Sequence, residues 1–137
     1  MPGTALKPGD SAQVLQKTTT AATIVSSDEI WLPKGSDGLV ITLVCTAQAG
    51  GQIDTLTLDE LIPSDTGVYQ PTFSILFTFA AIALNAAGVK KFVIRPGVIT
   101  GSYDGFVNSG VPNRFRISVT PHDGNSITWS VRVQATK

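Results

Sequence analysis

His122 is the sole histidine in this chain of 137 residues, and it stands next to Asp123 in Pro121-His122-Asp123-Gly124-Asn125, which reads as a tight turn. A histidine base needs a nucleophile within hydrogen-bond reach and a third group to orient it. No such set can be assembled from the sequence, and His122 reads as an exposed turn residue. Cys45 lies in phase with Leu39, Ile41 and Leu43 and reads as a small buried hydrophobe, not a nucleophile. One cysteine forms no internal disulfide, and with one histidine it builds no Cys/His zinc site. Asp54, Asp59, Glu60 and Asp65 offer the hard oxygens that calcium takes, but their spacing is not that of an EF-hand loop. On a continuing strand Asp59 and Glu60 point to opposite faces, so solvated strand ends explain these carboxylates better. No Gly-x-Ser-x-Gly elbow, Walker A loop, dinucleotide fingerprint or His-Glu-x-x-His motif occurs. The sequence assigns no catalytic residue, no cofactor-binding residue and no metal ligand, and the expectation is a non-enzyme without a cofactor.

What remains is contact chemistry. Trp129 alternates in phase with Ile127 and Val131 and reads as core, whereas Trp31 and Tyr103, the latter in the Gly-rich stretch 101–110, are candidates for a surface. Arg114, Arg116 and Arg132 fall on the polar faces of the last two long strands. They are expected to form one basic stripe across a hairpin and to pair with acids on a neighbouring subunit.

The composition agrees with a contact role. Ten Lys+Arg balance ten Asp+Glu, and charged residues make up 15% of the chain, against about 25% in an average domain. There is no basic excess to hold nucleic acid or anionic lipid. Hydrophobic residues reach 42%, enough to build a core. The apolar run Phe73 to Leu84 is shorter than the ~20 residues of a membrane helix. Met1-Pro2-Gly3 lacks the features of a signal peptide, so the expectation is a soluble protein made in the cytoplasm and not exported by a classical signal.

Period-two alternation dominates the elements that must position these residues. It runs through 39–46, Phe73 to Phe79, Phe115 to Val119 and Ile127 to Val133, with a less regular run at 53–61 and a short one at 92–94. Asp37-Gly38, Gly50-Gly51, Asp104-Gly105 and Asp123-Gly124 punctuate them as turns. The pattern predicts an all-β, antiparallel β-sandwich or jelly-roll-like domain over residues 12–137, with about seven to nine strands, the usual range for such folds. Residues 1–11, rich in Pro and Gly, read as an extended N-terminal arm outside the core, with Leu6 and Lys7 as anchors for a partner.

The order of these segments resembles a family. Gly38-Leu39-Val40-Ile41-Thr42-Leu43-Val44 leads to Ala49-Gly50-Gly51 and Leu56-Thr57-Leu58, and Pro63-Ser64-Asp65-Thr66-Gly67 precedes Tyr69. Gly88, Phe92-Val93-Ile94, Pro96-Gly97-Val98, Pro112-Asn113-Arg114-Phe115-Arg116-Ile117 and a closing strand, Ser126 to Val133, follow. Over residues 36–136 this is similar to small head structural proteins of tailed bacteriophages, some of them capsid decoration or cement proteins. The chain departs from the family in having Phe115 where Trp is frequent, and in the apolar run Phe73–Leu84. The resemblance implies a sandwich that clamps the major capsid protein lattice on the virion surface by non-covalent contacts, often as a trimer. Alternatives are a tail, connector or fibre-associated structural protein, or a receptor- or carbohydrate-binding module presenting Trp31 and Tyr103.

Self-association has a candidate element of its own. With Phe73, Ile75, Phe77 and Phe79 on one face, Leu76, Ala80 and Ile82 fall on the other, where burial against an identical subunit would remove apolar surface from water; the alternative is cover by a loop or the N-terminal segment of the same chain. Leu76→Glu is expected to give a folded monomer by light scattering with reduced capsid binding. A variant that keeps the wild-type mass and binds normally would remove this segment from the interface.

Overall fold

A computed structural model describes residues 4–7, 9, 11–33, 36, 38–49, 53–62, 72–84, 88–95, 105–108, 113–121 and 126–136, with the side chains at 4, 47–49, 62, 72–84 and 105–108 left outside the description. The strands are β1 (Thr4–Ala5), β2 (Ser11–Thr19), β3 (Val25–Ser26), β4 (Ile30–Trp31), β5 (Gly38–Ala49), β6 (Ile53–Ile62), β7 (Thr72–Leu84), β8 (Gly88–Arg95), β9 (Gly105–Asn108), β10 (Arg114–Pro121) and β11 (Ser126–Thr136). Among the described residues there is no helix, and the all-β expectation holds. Eleven strands exceed the seven to nine expected, because β1, β3 and β4 are two-residue pieces too short to leave a period in the sequence.

Two sheets share the strands. The first runs β1-β4-β10-β6-β7, with β3 also on β10, and the second runs β2-β11-β5-β8-β9. Pairing is antiparallel except for β1 with β4 and β8 with β9. The inner faces meet in one core as a β-sandwich. Phe115, Ile117, Val119, Leu56 and Leu58 come from the first sheet; Leu39, Ile41, Leu43, Trp129, Val131 and Val133 come from the second, and all are fully buried. Cys45 and Trp129 lie in this core as expected, and the indole N–H of Trp129 donates to Thr19 Oγ1 at 3.0 Å.

The expected hairpin between the last two long strands does not form. β10 pairs with β6 on one edge and with β3 and β4 on the other, while β11 pairs with β2 and β5. Neither strand has an edge left for the other. β10 and β11 belong to opposite sheets, and residues 122–125 between them lie outside the described residues. A turn signal fixes that the chain reverses, not which sheet receives it.

Bulges account for other departures. β2 carries a register shift at Val14, since Val131 faces Leu15 while Arg132 faces Gln13. Ala12 and Leu15 therefore take inward positions three residues apart, and the strand shows no period of two. On β7, Phe77 and Phe79 stand opposite Leu58 and Leu56, but beyond a shift at Leu76 it is Ile75 that stands opposite Asp59. The expected single line of Phe73, Ile75, Phe77 and Phe79 is thus broken in phase. Gly105–Asn108, expected within a Gly-rich loop, is strand β9. Gly38, expected as a turn glycine, opens central strand β5. A Cβ there would lie 2.5 Å from Thr136 Oγ1 and 2.7 Å from Arg95 Cβ, so close packing requires glycine.

The N-terminal segment is not wholly outside the core. β1 pairs with β4, the Leu6 N–H donates to the Trp31 carbonyl at 2.9 Å, and the Leu6 side chain is buried at 6% exposure. Gly9, at φ 80°, turns the chain into β2, and its carbonyl accepts from Gln134 Nε2 at 2.9 Å. Leu6→Ala should therefore lower stability by about 2–5 kcal/mol in urea unfolding. An unchanged midpoint would restore the reading of a free arm.

Candidate functional site

On the outer face of the first sheet, β10 presents Arg114, Arg116, Ser118 and Thr120, the alternate positions to its core residues. In register, Arg114 faces Trp31, Arg116 faces Asp59, Ser118 faces Thr57 and Ser26, and Thr120 faces Thr55. Two charge clusters result, and burial separates them.

The first is a half-exposed tryptophan held in place. Between β3 and β4 the chain leaves the edge of β10 for Ser27, Asp28 and Glu29. Ser27 keeps that edge satisfied: its N–H donates to the Ile117 carbonyl at 2.8 Å, and its Oγ accepts the Ile117 N–H at 3.0 Å. Glu29 and Trp31, two apart, come to the same side. Trp31 Nε1 donates to Glu29 Oε2, Arg114 Nη2 donates to the same carboxylate at 2.9 Å, and the Arg114 guanidinium lies 5.6 Å from the Trp31 ring centre. The Trp31 side chain remains 43% exposed. Its donor is satisfied and its ring is fixed, so what it offers is rigid aromatic surface. The carboxyl of Glu29 is held below its ordinary pKa, chiefly by the hydrogen bond from Arg114; desolvation opposes this, and the indole hydrogen bond and the charge of Arg114 add to it.

The second cluster is buried. Asp59, 3% exposed, accepts from Arg116 Nε at 2.9 Å and Ser118 Oγ at 2.6 Å on Oδ2, and from Thr57 Oγ1 at 2.8 Å on Oδ1. Ser118 Oγ lies 2.8 Å from Ser26 Oγ. Asp59, Thr57 and Ser118, the most buried of its lining, bound with Arg116 a cleft of about 280 Å³ that Thr55, Thr120 and the exposed Ile24 also line.

The expected site residues separate accordingly. Arg114 and Arg116 pair with acids of their own chain, and Arg132 lies on the other sheet, exposed, with Nη1 3.4 Å from Ser11 Oγ. No single basic stripe forms, because β10 and β11 belong to different sheets. Asp59 is not the solvated strand end expected, while Asp54 and Glu60 are half-buried. Leu6 is in the core, and Lys7 is exposed beside a second cleft of about 270 Å³. Leu76 and Ala80 lie on β7, but their side chains, together with Asp65, Tyr69, Tyr103 and His122, lie outside the described residues. Among the described residues no three His, Cys, Asp or Glu side chains gather, and no helix is long and apolar enough to cross a membrane. Glu29 and Ile24 were missed. The i, i+2 spacing of Glu29 and Trp31, which share a face on an extended chain, was the available signal for Glu29.

No protein-family model and no curated protein matches the chain. Among solved structures it is similar to CorA of Methylomicrobium album BG8, described as a surface-associated copper-binding protein important in copper acquisition. The match has 14% identity and a TM-score of 0.27, covering 98% of this chain and 82% of that chain.

Both clusters give measurable expectations. Because Glu29 titrates below its unfolded value, its pair with Arg114 stabilises the fold above the ordinary carboxylate range and loses that contribution as pH falls through the lowered value. Acid titration followed by tryptophan emission should show a step that Glu29→Gln abolishes; a step that survives in the variant assigns it elsewhere. Arg116→Met leaves Asp59 buried without its cation and should cost about 3 kcal/mol in urea unfolding at neutral pH. Most of that loss should return in Asp59→Asn/Arg116→Met, and a double variant no better than the single one would show that the pair is not the cause.

Proposed function

We propose that this chain is a virion structural protein, a capsid decoration or cement protein that binds the major capsid protein lattice and stabilises it by non-covalent contacts. It is made in the host cytoplasm and acts on the capsid surface as a homo-oligomer, with a trimer favoured, and it performs no catalysis. The resemblance over residues 36–136 supplies the class. The observation that carries the reading is Trp31, exposed on the sheet face yet locked by Glu29 and Arg114. Rigid tryptophan and arginine surface is what anchors protein–protein contacts, since little side-chain entropy is lost when it docks.

Self-association through β7 belongs to the same proposal. Among the described residues β7 ends its sheet, and from Thr72 to Leu84 it carries neither a charge nor a proline. An edge strand without those protections is normally covered, and pairing with a second copy covers it.

The test is co-sedimentation of the purified protein with heads assembled from the major capsid protein of the same genome. Saturable binding is expected. Trp31→Ala should weaken it by about 2 kcal/mol, roughly thirty-fold, with an unchanged melting curve. Absence of binding by the wild type overturns the capsid reading, and full binding by the variant removes Trp31 as the anchor.

A further inference from the structure

We infer that the cleft lined by Asp59 is a saccharide site that takes one neutral, hexose-sized ring. The inference goes beyond capsid attachment and does not depend on it.

The site is built before any ligand arrives. Three donors from three side chains fix the Asp59 carboxylate, and only one of them, Thr57, reaches Oδ1. A carboxylate oxygen accepts more than one hydrogen bond, so Oδ1 keeps acceptor capacity in the cleft that Asp59 lines. Burying this charge is costly, and stability alone does not require it, since apolar pairs serve a sheet as well.

Charge then selects the ligand class. Among the described residues, Asp59 and Arg116 are the charged side chains of the lining, and they pair with one another. An anion meets the carboxylate and a cation meets the guanidinium, so a neutral molecule is favoured on both counts. Around the pair stand the hydroxyls of Thr55, Thr57, Ser118 and Thr120. Thr57 and Ser118 spend their protons on Asp59 and keep acceptor capacity, while the hydroxyls of Thr55 and Thr120 can each donate and accept, which suits a sugar hydroxyl and not an apolar ligand.

Size and shape narrow the class further. About 280 Å³ lies just under the range of drug-sized pockets, room for one ring but not for a length of peptide strand. Ile24 of the lining, 62% exposed, supplies apolar surface for the C–H face of that ring. This cleft lies along β10 from Trp31, which is not among its described lining residues, while Tyr103 lies outside the described residues.

The experiment uses the full-length protein alone, labelled with ¹⁵N and titrated with glucose, galactose, mannose and N-acetylglucosamine, and with short oligomers of whichever binds. At least one sugar should produce saturable shifts confined to amides near residues 24, 55–59 and 116–120. Tighter binding of the oligomer assigns the site to a glycan chain, and equal binding assigns it to the free sugar; both support the proposal. Thr55→Val and Thr120→Val lie outside the Asp59 hydrogen bonds and should each weaken binding about five-fold, with the rest of the spectrum unchanged. No saturable shift with any sugar overturns the inference. So do saturation elsewhere on the protein, unchanged affinity in both variants, or tighter binding of glucuronate or glucosamine than of the neutral sugars. Because no capsid is present, failure here leaves the co-sedimentation result standing on its own.

Discussion

The register between β6 and β10 is the constraint on which the rest depends. Ile117 opposite Leu58 and Val119 opposite Leu56 fill the core, while Arg116 opposite Asp59 and Ser118 opposite Thr57 face outward. A slip of one residue would exchange the two faces and place a carboxylate and a guanidinium in the core. A slip of two would keep the apolar face inward but set Asp59 opposite Arg114 or Ser118. In the second case the carboxylate is buried without a cation opposite it, at a cost of several kcal/mol. Hydrophobicity thus chooses the face, and the buried carboxylate disfavours the slip that sets Asp59 opposite Ser118.

That division explains what could be read from the sequence. β5, β10 and β11 each bury one face and solvate the other, so Leu39 to Cys45, Phe115 to Val119 and Ile127 to Val133 announce themselves by alternation. The signal fails wherever one residue is added to a strand. Val14 in β2 and Leu76 in β7 shift the register in mid-strand, so β2 leaves no clear period and the period of β7 does not run through unbroken. It also fails for two-residue pieces such as β4, a strand because β10 is beside it, and β1, a strand because β4 is beside it. Leu6 belongs to that group, since nothing local distinguishes an arm leucine from a core leucine.

The candidate site was less legible than the fold for a related reason. Arg116 was seen as an outward residue and Asp59 as a carboxylate, but they stand fifty-seven positions apart. Only the pairing of β6 with β10 brings them together. Once the hairpin Pro121-His122-Asp123-Gly124-Asn125 was assumed, Arg116 was matched with Arg132 instead of with Asp59. An error in strand pairing therefore becomes an error in electrostatics: a network that is internally neutral is mistaken for a basic stripe. Trp31 needs no long-range pairing to be noticed, yet the rigidity that makes it an anchor comes from Arg114, which the pairing of β4 with β10 supplies.

The two ion pairs on this face are chemically alike and physically opposite. Arg114 and Glu29 are 47% and 18% exposed, and a pair in such surroundings adds little to stability. Its consequence is orientation, because it fixes the ring of Trp31. Arg116 and Asp59 are 34% and 4% exposed, so the carboxylate has lost its water and must be satisfied by Thr57, Ser118 and the guanidinium together. Its consequence is shape, a polar lining that cannot relax without unpairing a charge. Arg114 and Arg116 are two positions apart on one strand, their backbones held by Phe115 and Ile117 in the core. The aromatic anchor and the polar cleft are for that reason fixed relative to each other, and a partner seated on Trp31 lies on the same face as the cleft.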